Sequence, residues 1–194
     1  MRQLAARVGL TSGALYNHFG SKQALLSGLL ESVMTDLLAA AQHDVLCHSD
    51  PVQQLRAFVG LHIRFHVDRK NDVLIATTEL RSLSSVNLAK IVRLRNRYEA
   101  ILSSILRLGI RLGVFVLSDA KTAALAMIPM LTGVAQWYRP GRRVTREQVI
   151  DRYTALCMAM VGASAVLSDA AQSGRISPRA DQQSTKPAEI LGVK

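Results

Sequence analysis

The fold of this chain is decided by residues 4–26, which read LAARVGLTSGALYNHFGSKQALL. Two short helical patterns, residues 2–8 and 12–19, flank a three-residue turn that runs from Gly9 to Thr11. Gly9 can adopt the left-handed conformation that ends a helix, and Thr11 can cap the next helix by accepting a backbone N–H. The stretch therefore predicts a helix, a tight turn and a second helix.

The second helix of this pair has one face for packing and another that is free to meet a partner. Leu15 and Phe19 lie four residues apart and point inward. The outward residues are Ser12, Gly13, Tyr16 and Asn17. Small residues Gly13 and Ala14 allow the backbone to approach the floor of a DNA major groove. The side chains that can reach phosphates are Tyr16, His18 and Lys22. An ordinary helical hairpin with a solvated face has the same periodicity, so this pattern alone leaves both interpretations open.

Composition and charge favour helices and a polyanionic partner. The 194 residues suffice for one core plus a small satellite domain, and the abundance of Ala, Leu and Arg predicts an all-α fold. The net charge of +10 indicates DNA, RNA, an anionic membrane or a phosphate-bearing metabolite as partner. No signal peptide is evident, and polar residues interrupt each apolar stretch, so we expect a cytoplasmic protein without a membrane partner. Cys47 and Cys157 lack disulfide or metal-ligand spacing, and we expect buried, reduced thiols.

After the first pair, six more helices are predicted, at about residues 22–43, 51–67, 71–83, 85–114, 119–138 and 145–167. Their expected start signals are Ser21, Pro51, Ser118 and a capping box of Thr145 with Gln148. Pro129 should kink the fifth of them. We expect a DNA-binding head with its connecting helix at residues 1–43, a ligand-binding and dimerisation body at 44–168, and a disordered polar tail at 169–194.

Residues 4–26 closely resemble the DNA-binding motif of the TetR family of bacterial transcription regulators. The resemblance implies that DNA is contacted by Arg2, Thr11, Ser12, Gly13, Ala14, Tyr16, Asn17, His18 and Lys22. It also implies a homodimer, paired through its last two long helices, whose heads enter major grooves about 34 to 36 Å apart on a palindromic double-stranded operator. Family members carry a further helix before the one that begins here near Arg2. We therefore expect Met1 to be an internal methionine of a longer protein, and the head of the chain as given to be loose.

Four segments of the body are similar to the TetR regulators that respond to acyl-CoA thioesters. These segments are LRAFV at 55–59, HIRFH at 62–66, ELRSL at 79–83 and WYRP at 137–140. The resemblance implies a repressor that an amphipathic effector, such as an acyl-CoA, releases from DNA. Two other classes stay open: a ligand-binding protein that has lost DNA binding, and an enzyme acting on an acyl thioester. The enzyme is less favoured because the sequence has no Gly-x-Ser-x-Gly motif or phosphate-binding glycine loop, and no cofactor is implied.

Two histidines are candidates for the effector pocket. His62 and His66 lie four residues apart, a spacing that could place both imidazoles on one metal ion. A third ligand is missing from the adjacent sequence, so no metal site is predicted. We interpret them as partly buried histidines with hydrogen-bond partners, which border the pocket together with Phe58 on the same helical face.

The long helix at 85–114 carries a basic stripe beside an apolar one. The cations that share an arc of about 100° are Lys90, Arg93, Arg97, Arg107 and Arg111. The apolar arc comprises Leu94, Tyr98, Ile101, Leu102, Ile105 and Leu112. One interpretation is a solvated face beside a core face. The alternative is that Arg93, Arg97 and Arg107 hold the phosphates of a CoA-like ligand whose acyl chain lies along the side of Tyr98. Trp137 either packs or borders the same pocket.

Overall fold

The computed structural model describes residues 20–163, apart from the side chains of Ala76 and Thr77. Within this range the elements are α1 Lys22–Asp44, α2 Pro51–Asp68, α3 Lys70–Thr78, a 3₁₀ turn Leu80–Ser82, α4 Ser85–Arg111, α5 Ala120–Thr132, α6 Val134–Trp137 and α7 Arg146–Met160. Every regular element in the described range is helical, which confirms the all-α class. The predicted helix-turn-helix at 2–19, the end of the last helix at 164–167 and the tail at 169–194 lie outside the described residues.

Three of the four predicted helix starts are confirmed. The Ser21 hydroxyl accepts a hydrogen bond from the Ala24 N–H at 3.0 Å, which caps α1. Thr145 and Gln148 form the reciprocal capping box of α7, with both bonds present. At α2, Pro51 is the first helical residue, and the carboxylate of the preceding Asp50 caps the first turn. These contacts are local, so the sequence alone is sufficient to specify them.

The start and the end of α5 differ from the prediction. Asp119, not Ser118, is the cap, because its carboxylate accepts from the N–H groups of both Lys121 (2.9 Å) and Thr122 (3.2 Å). The predicted helix 119–138 is two helices, α5 and α6, which meet at Gly133. Pro129 provides no N–H for the helical ladder, and α5 ends within one turn after it.

The predicted helix at 71–83 is also shorter than expected, and it ends at Thr78 before the 3₁₀ turn. Likewise α4 ends at Arg111, three residues before its predicted limit, where Gly113 adopts a φ of +71°. A left-handed residue just beyond the last turn is the usual way to stop a helix. Leu112, predicted to share the apolar arc, therefore follows the end of the helix and is exposed.

The core is built around α4, which packs against α1, α2 and α5, while α7 packs against α2. Phe58, Ile63, Leu102 and Leu106 are fully buried in the main core. Each such side chain stabilises the fold by roughly 1.5 to 3 kcal/mol. A second, smaller cluster joins the first turns of α1 to the beginning of α4, and its members are Leu26, Leu30, Leu83 and Ile91. The helix that follows the predicted head is thus held to the body along its length.

By length and composition alone, α1 could cross a membrane. The expectation that polar residues interrupt every apolar stretch before it could span a bilayer is therefore wrong for this segment. Its apolar residues have another use in the structure. Leu30, Val33, Leu37 and Ala41 are buried on the side of α1 that packs against the body. This pattern is typical of the core helix of a helical bundle.

The two cysteines differ in environment. Cys157 is buried as expected, and burial raises the pKa of its thiol to about 12, so the thiol stays protonated. Cys47 is exposed, which corrects the expectation that both thiols are buried. It lies in the turn between α1 and α2, where its Sγ approaches the Asp44 carbonyl at 3.5 Å.

Candidate ligand cavity

A cavity of about 420 Å³ is lined mainly by α1, α2, α4 and α5, with single residues from α3 and α6. Its apolar lining comes from Val33, Met34, Leu37, Phe65, Val73, Leu125, Ile128 and Pro129. Its polar lining comes from His62, His66, Arg95, Tyr98, Glu99, Thr132 and Gln136. A volume of this size, with mainly apolar walls and a few polar groups, is typical of a small-molecule site.

His62 joins three helices at one wall of this cavity. Its Nδ1 lies 3.0 Å from the hydroxyl of Tyr98 on α4, and its Nε2 lies 3.0 Å from Oγ1 of Thr132 on α5. The ring of His62 is almost completely buried on α2. Burial, and secondarily the neighbouring ring of His66, hold the pKa of His62 well below its usual value. The imidazole is therefore neutral at physiological pH and acts as a hydrogen-bonded connection between helices.

His66 lies one turn further along α2. Its ring stacks on that of His62, with a centroid distance of 3.9 Å and an angle of 9° between the planes. Its Nδ1 is 2.8 Å from the carbonyl oxygen of His62. Burial lowers the pKa of His66 to about 4, although this hydrogen bond acts in the opposite direction. The structure thus gives both histidines hydrogen-bond partners, and among the described residues no group of three or more His, Cys, Asp or Glu is placed to hold a metal ion.

A charged pair lines another part of the wall. Arg95 and Glu99 lie four residues apart on α4, and both are half-buried. Burial lowers the pKa of the Arg95 guanidinium, which nevertheless remains charged at physiological pH. The cavity therefore offers a cation and a carboxylate beside its apolar walls. Such groups can orient the polar end of an otherwise apolar ligand.

The cavity includes some of the predicted ligand residues and not others. His62, His66 and Tyr98 line it. Phe58 lies behind it in the core, where its ring stacks on that of Tyr98 at 5.0 Å. Arg93, Arg97 and Arg107 are exposed and do not line it, so the solvated-face interpretation describes their position. Trp137 also lies outside the lining, with 51% of its surface exposed.

Sequence reasoning missed Arg95 and Thr132. A signal for Arg95 was available, because Ile91, Arg95, Tyr98 and Leu102 follow the i, i+4, i+7, i+11 spacing of one helical face. A cation inside an otherwise buried stripe indicates a polar site next to the core. The sequence around Thr132 gave no comparable signal. Thr132 contributes through its hydrogen bond to His62, and that contact depends on how α2 packs against α5.

The predicted DNA contacts can be located for one residue only. Lys22 is the first residue of α1 and is exposed. The remaining candidates, Arg2, Thr11, Ser12, Gly13, Ala14, Tyr16, Asn17 and His18, lie outside the described residues.

The residue next to Lys22 connects α1 to the body. The Gln23 side-chain amide donates to the Ser82 carbonyl, and its oxygen accepts from the Ser84 N–H at 3.0 Å. Ser84 is itself the cap of α4. The first turn of α1 is therefore tied to the first turn of the helix that carries Arg95 and Tyr98.

An apolar surface remains exposed on α5 and α7. Leu125 on α5 and Leu156 on α7 are about half exposed, at 51% and 52%, and Met160 is 41% exposed. Leu125 also lines the cavity, so this surface begins at the cavity wall. Exposed apolar residues mark a protein interface where they form one contiguous patch.

Comparison with known proteins gives consistent matches over both parts of the chain. The family described as "Bacterial regulatory proteins, tetR family" matches residues 1–29, and "Tetracyclin repressor-like, C-terminal domain" matches residues 48–161. The HTH-type transcriptional repressor KstR2 of Mycobacterium tuberculosis (strain ATCC 25618 / H37Rv) is 27% identical over 160 residues, which cover 81% of this chain and 80% of that protein.

Two solved structures extend the comparison. The TetR family transcriptional regulator PfmR from Thermus thermophilus has 33% identity and a TM-score of 0.75, with 81% of this chain and 86% of that chain covered. AibR, solved in complex with isovaleryl coenzyme A and operator DNA, has a TM-score of 0.74 at 22% identity, with 82% and 85% covered. The likeness to AibR is one of fold.

Proposed function

The chain belongs to the TetR family of bacterial transcription regulators, and from this membership we propose that it is a repressor controlled by a small amphipathic ligand. It binds a palindromic operator as a homodimer in the cytoplasm. The head and its connecting helix occupy residues 1–43, the ligand-binding and dimerisation body 44–168, and the tail 169–194. The similar protein KstR2 is named as a repressor, and AibR was solved with both a CoA thioester and DNA, which supports an acyl-CoA as the effector.

The observation that carries the proposal is the contribution of α1 to the cavity. Val33, Met34 and Leu37 belong to the same helix as Lys22, which begins directly after the predicted recognition segment. A ligand that fills the cavity contacts this helix about three to four turns from its first residue, Lys22. The bonds of Gln23 transmit a movement of α1 or α4 to the other helix. Occupancy of the cavity would then favour a distance between the two heads that does not match the distance between successive major grooves.

The exposed surface of α5 and α7 supports the homodimer. Leu125, Leu156 and Met160 would be covered by the same residues of a second copy across a two-fold axis. Because Leu125 also lines the cavity, dimerisation would close one side of the ligand site. The two sites and the spacing of the two heads would then depend on one interface.

The lining favours an acyl chain in the cavity with a polar group near Arg95. Arg93, Arg97 and Arg107 point away from it into solvent and stay in the proposal only as contacts for a part of the ligand that extends outside, such as the phosphates of CoA. Arg95 is the cation that the proposal places against the enclosed part. A free acid, which lacks the CoA phosphates, should therefore bind more weakly than its thioester.

The test is a mobility-shift assay on the DNA upstream of the chain's own gene, with and without a series of acyl-CoA thioesters and the matching free acids. Ile128→Trp adds bulk inside the cavity, and Val92→Trp adds the same bulk on the exposed side of α4. We expect Ile128→Trp to bind the operator and to need at least about tenfold more thioester for release, a change worth about 1.4 kcal/mol. Val92→Trp should respond like the parent. Equal release of both variants would contradict the cavity assignment. Failure to bind the operator by both the parent and a form extended upstream in frame by about 20 to 30 residues would contradict the repressor.

A further inference from the structure

The hydrogen-bond partners of His62 fix the position of its proton. The Thr132 hydroxyl donates to the Ile128 carbonyl at 2.9 Å, so its oxygen is left to accept from the Nε2–H of His62. A neutral imidazole has one N–H, and Nδ1 therefore accepts from the Tyr98 hydroxyl. Both nitrogens of His62 are used within the protein.

His66 has the opposite tautomer. A carbonyl oxygen can only accept, so the 2.8 Å contact to the His62 carbonyl places the proton of His66 on Nδ1. Its Nε2 then carries a lone pair. Among residues 20–163, no described group bonds to this Nε2. No unpartnered side-chain nitrogen or oxygen in this range is fully buried, so Nε2 is accessible. Because His66 lines the cavity, Nε2 is open to a ligand there.

We propose that Nε2 of His66 is a hydrogen-bond acceptor that selects effectors carrying a hydroxyl or N–H at this point over those that carry a ketone or an ether. This inference rests on the proposed function, since it specifies the ligand chemistry of the same cavity. A donor at this position gains a buried hydrogen bond. A ketone or ether oxygen brings a second lone pair against Nε2 and leaves both acceptors unpaired.

The two charged groups of the cavity do not provide the same selection. Arg95 is a pure donor and favours acceptors or anions on the ligand. Glu99 is the competing acceptor, and a carboxylate attracts cations as well as hydroxyl groups. The stacking of His66 on His62 fixes the plane of its ring, so its lone pair has one direction in the cavity.

The experiment uses the full chain and three probes of one shape: naphthalene, 2-naphthol and 2-methoxynaphthalene. Their affinities are measured by calorimetry for the parent, His66→Asn, His66→Gln and Glu99→Gln. Asn places an amide N–H where Nδ1 lies and has no atom at Nε2, whereas Gln can present its carbonyl oxygen near the position of Nε2. We expect the preference for 2-naphthol over 2-methoxynaphthalene to fall roughly 2- to 10-fold in His66→Asn, and to persist in His66→Gln and Glu99→Gln.

Nitrogen NMR of the parent protein labelled at histidine provides a measurement that needs no variant. We expect the unprotonated Nε2 resonance of His66 to shift with 2-naphthol and to stay in place with 2-methoxynaphthalene. An unchanged preference in His66→Asn, or no such shift, would overturn the inference while leaving the ligand cavity intact. If none of the three probes binds the parent, the cavity assignment in the proposed function fails, and the inference fails with it.

Discussion

Acid should destabilise this protein in a pH range where most proteins are little affected, because His62 and His66 are buried and neutral in the folded state. The unfolded chain binds a proton at each histidine near the ordinary pKa of about 6.5. In the folded protein the pKa of His66 is lowered to about 4, and that of His62 is also lowered well below its ordinary value. The stabilisation is fully present above pH 6.5 and is lost as the pH falls toward the folded pKa.

The magnitude follows from the pKa shift of His66. Lowering the pH from 7.5 to 5.0 protonates the His66 imidazole in the unfolded chain and leaves it neutral in the folded protein. This difference reduces the free energy of unfolding by about 2 kcal/mol. His62 adds a loss in the same direction. Asp119 and Glu147 also have lowered pKa values, but carboxylates lose such stabilisation near and below their ordinary values of about 4, mostly outside this range. Tyr98, which bonds to His62, has a pKa raised by burial and stays protonated throughout.

Urea denaturation followed by circular dichroism at pH 7.5, 6.0 and 5.0, at constant ionic strength, measures this effect. The matched variants are His66→Asn and His48→Asn, since His48 is exposed in the turn before α2. We expect the loss of unfolding free energy between pH 7.5 and 5.0 to be about 2 kcal/mol smaller in His66→Asn than in the parent, and unchanged in His48→Asn. The reasoning is refuted if His66→Asn loses as much stability as the parent between pH 7.5 and 5.0.

Three further predictions test packing, DNA contact and assembly. Gly109→Ala should destabilise the fold by about 1 to 3 kcal/mol in urea denaturation despite the higher helix propensity of Ala, because the added Cβ would overlap the ring of Phe115. Unchanged stability would contradict this. Tyr16→Ala and Lys22→Ala should weaken binding to all DNA sequences and each reduce the salt slope by about 1, and parent-like binding at all salt concentrations would remove the proposed phosphate contacts. Leu156→Glu should give a monomer in light scattering with weakened operator binding, and a persistent dimer would place the interface elsewhere.

The helix caps were predictable from the sequence because the interactions that determine them join residues that are close together along the chain. Ser21 and Thr145 each bond to a backbone N–H three residues away, and Asp50 to N–H groups two and three residues away, so neighbouring residues carry the whole signal. The break of α5 after Pro129 was predicted only as a kink. A proline weakens the helix at a known place, but tertiary contacts decide whether the chain continues or restarts, here at the buried Val134.

The cavity itself could not be located from periodicity. Helical spacing shows which residues share a face, and it correctly grouped His62 with His66 and separated Tyr98 from the basic stripe. It does not show which face meets a neighbouring helix and which meets a void. The stripe with Arg93 faces solvent. Arg95 lies next to Leu102, at the edge of the apolar arc away from that stripe, and lines the cavity because the packing of α1 and α5 on α4 sets that direction.

The two stacked histidines have different consequences for regulation because they differ in hydrogen-bonding capacity. His62 has no bond left to offer, so its contribution is to hold α2, α4 and α5 in one register around the cavity. A ligand that competes for Thr132 or Tyr98 would break one of the two bonds that connect these helices. His66 keeps one acceptor free and can interact with a ligand without breaking a bond to the protein. Under the proposed function, ligand choice at His66 and a helix movement at His62 would be coupled through the backbone carbonyl and the stacked rings that the two residues share.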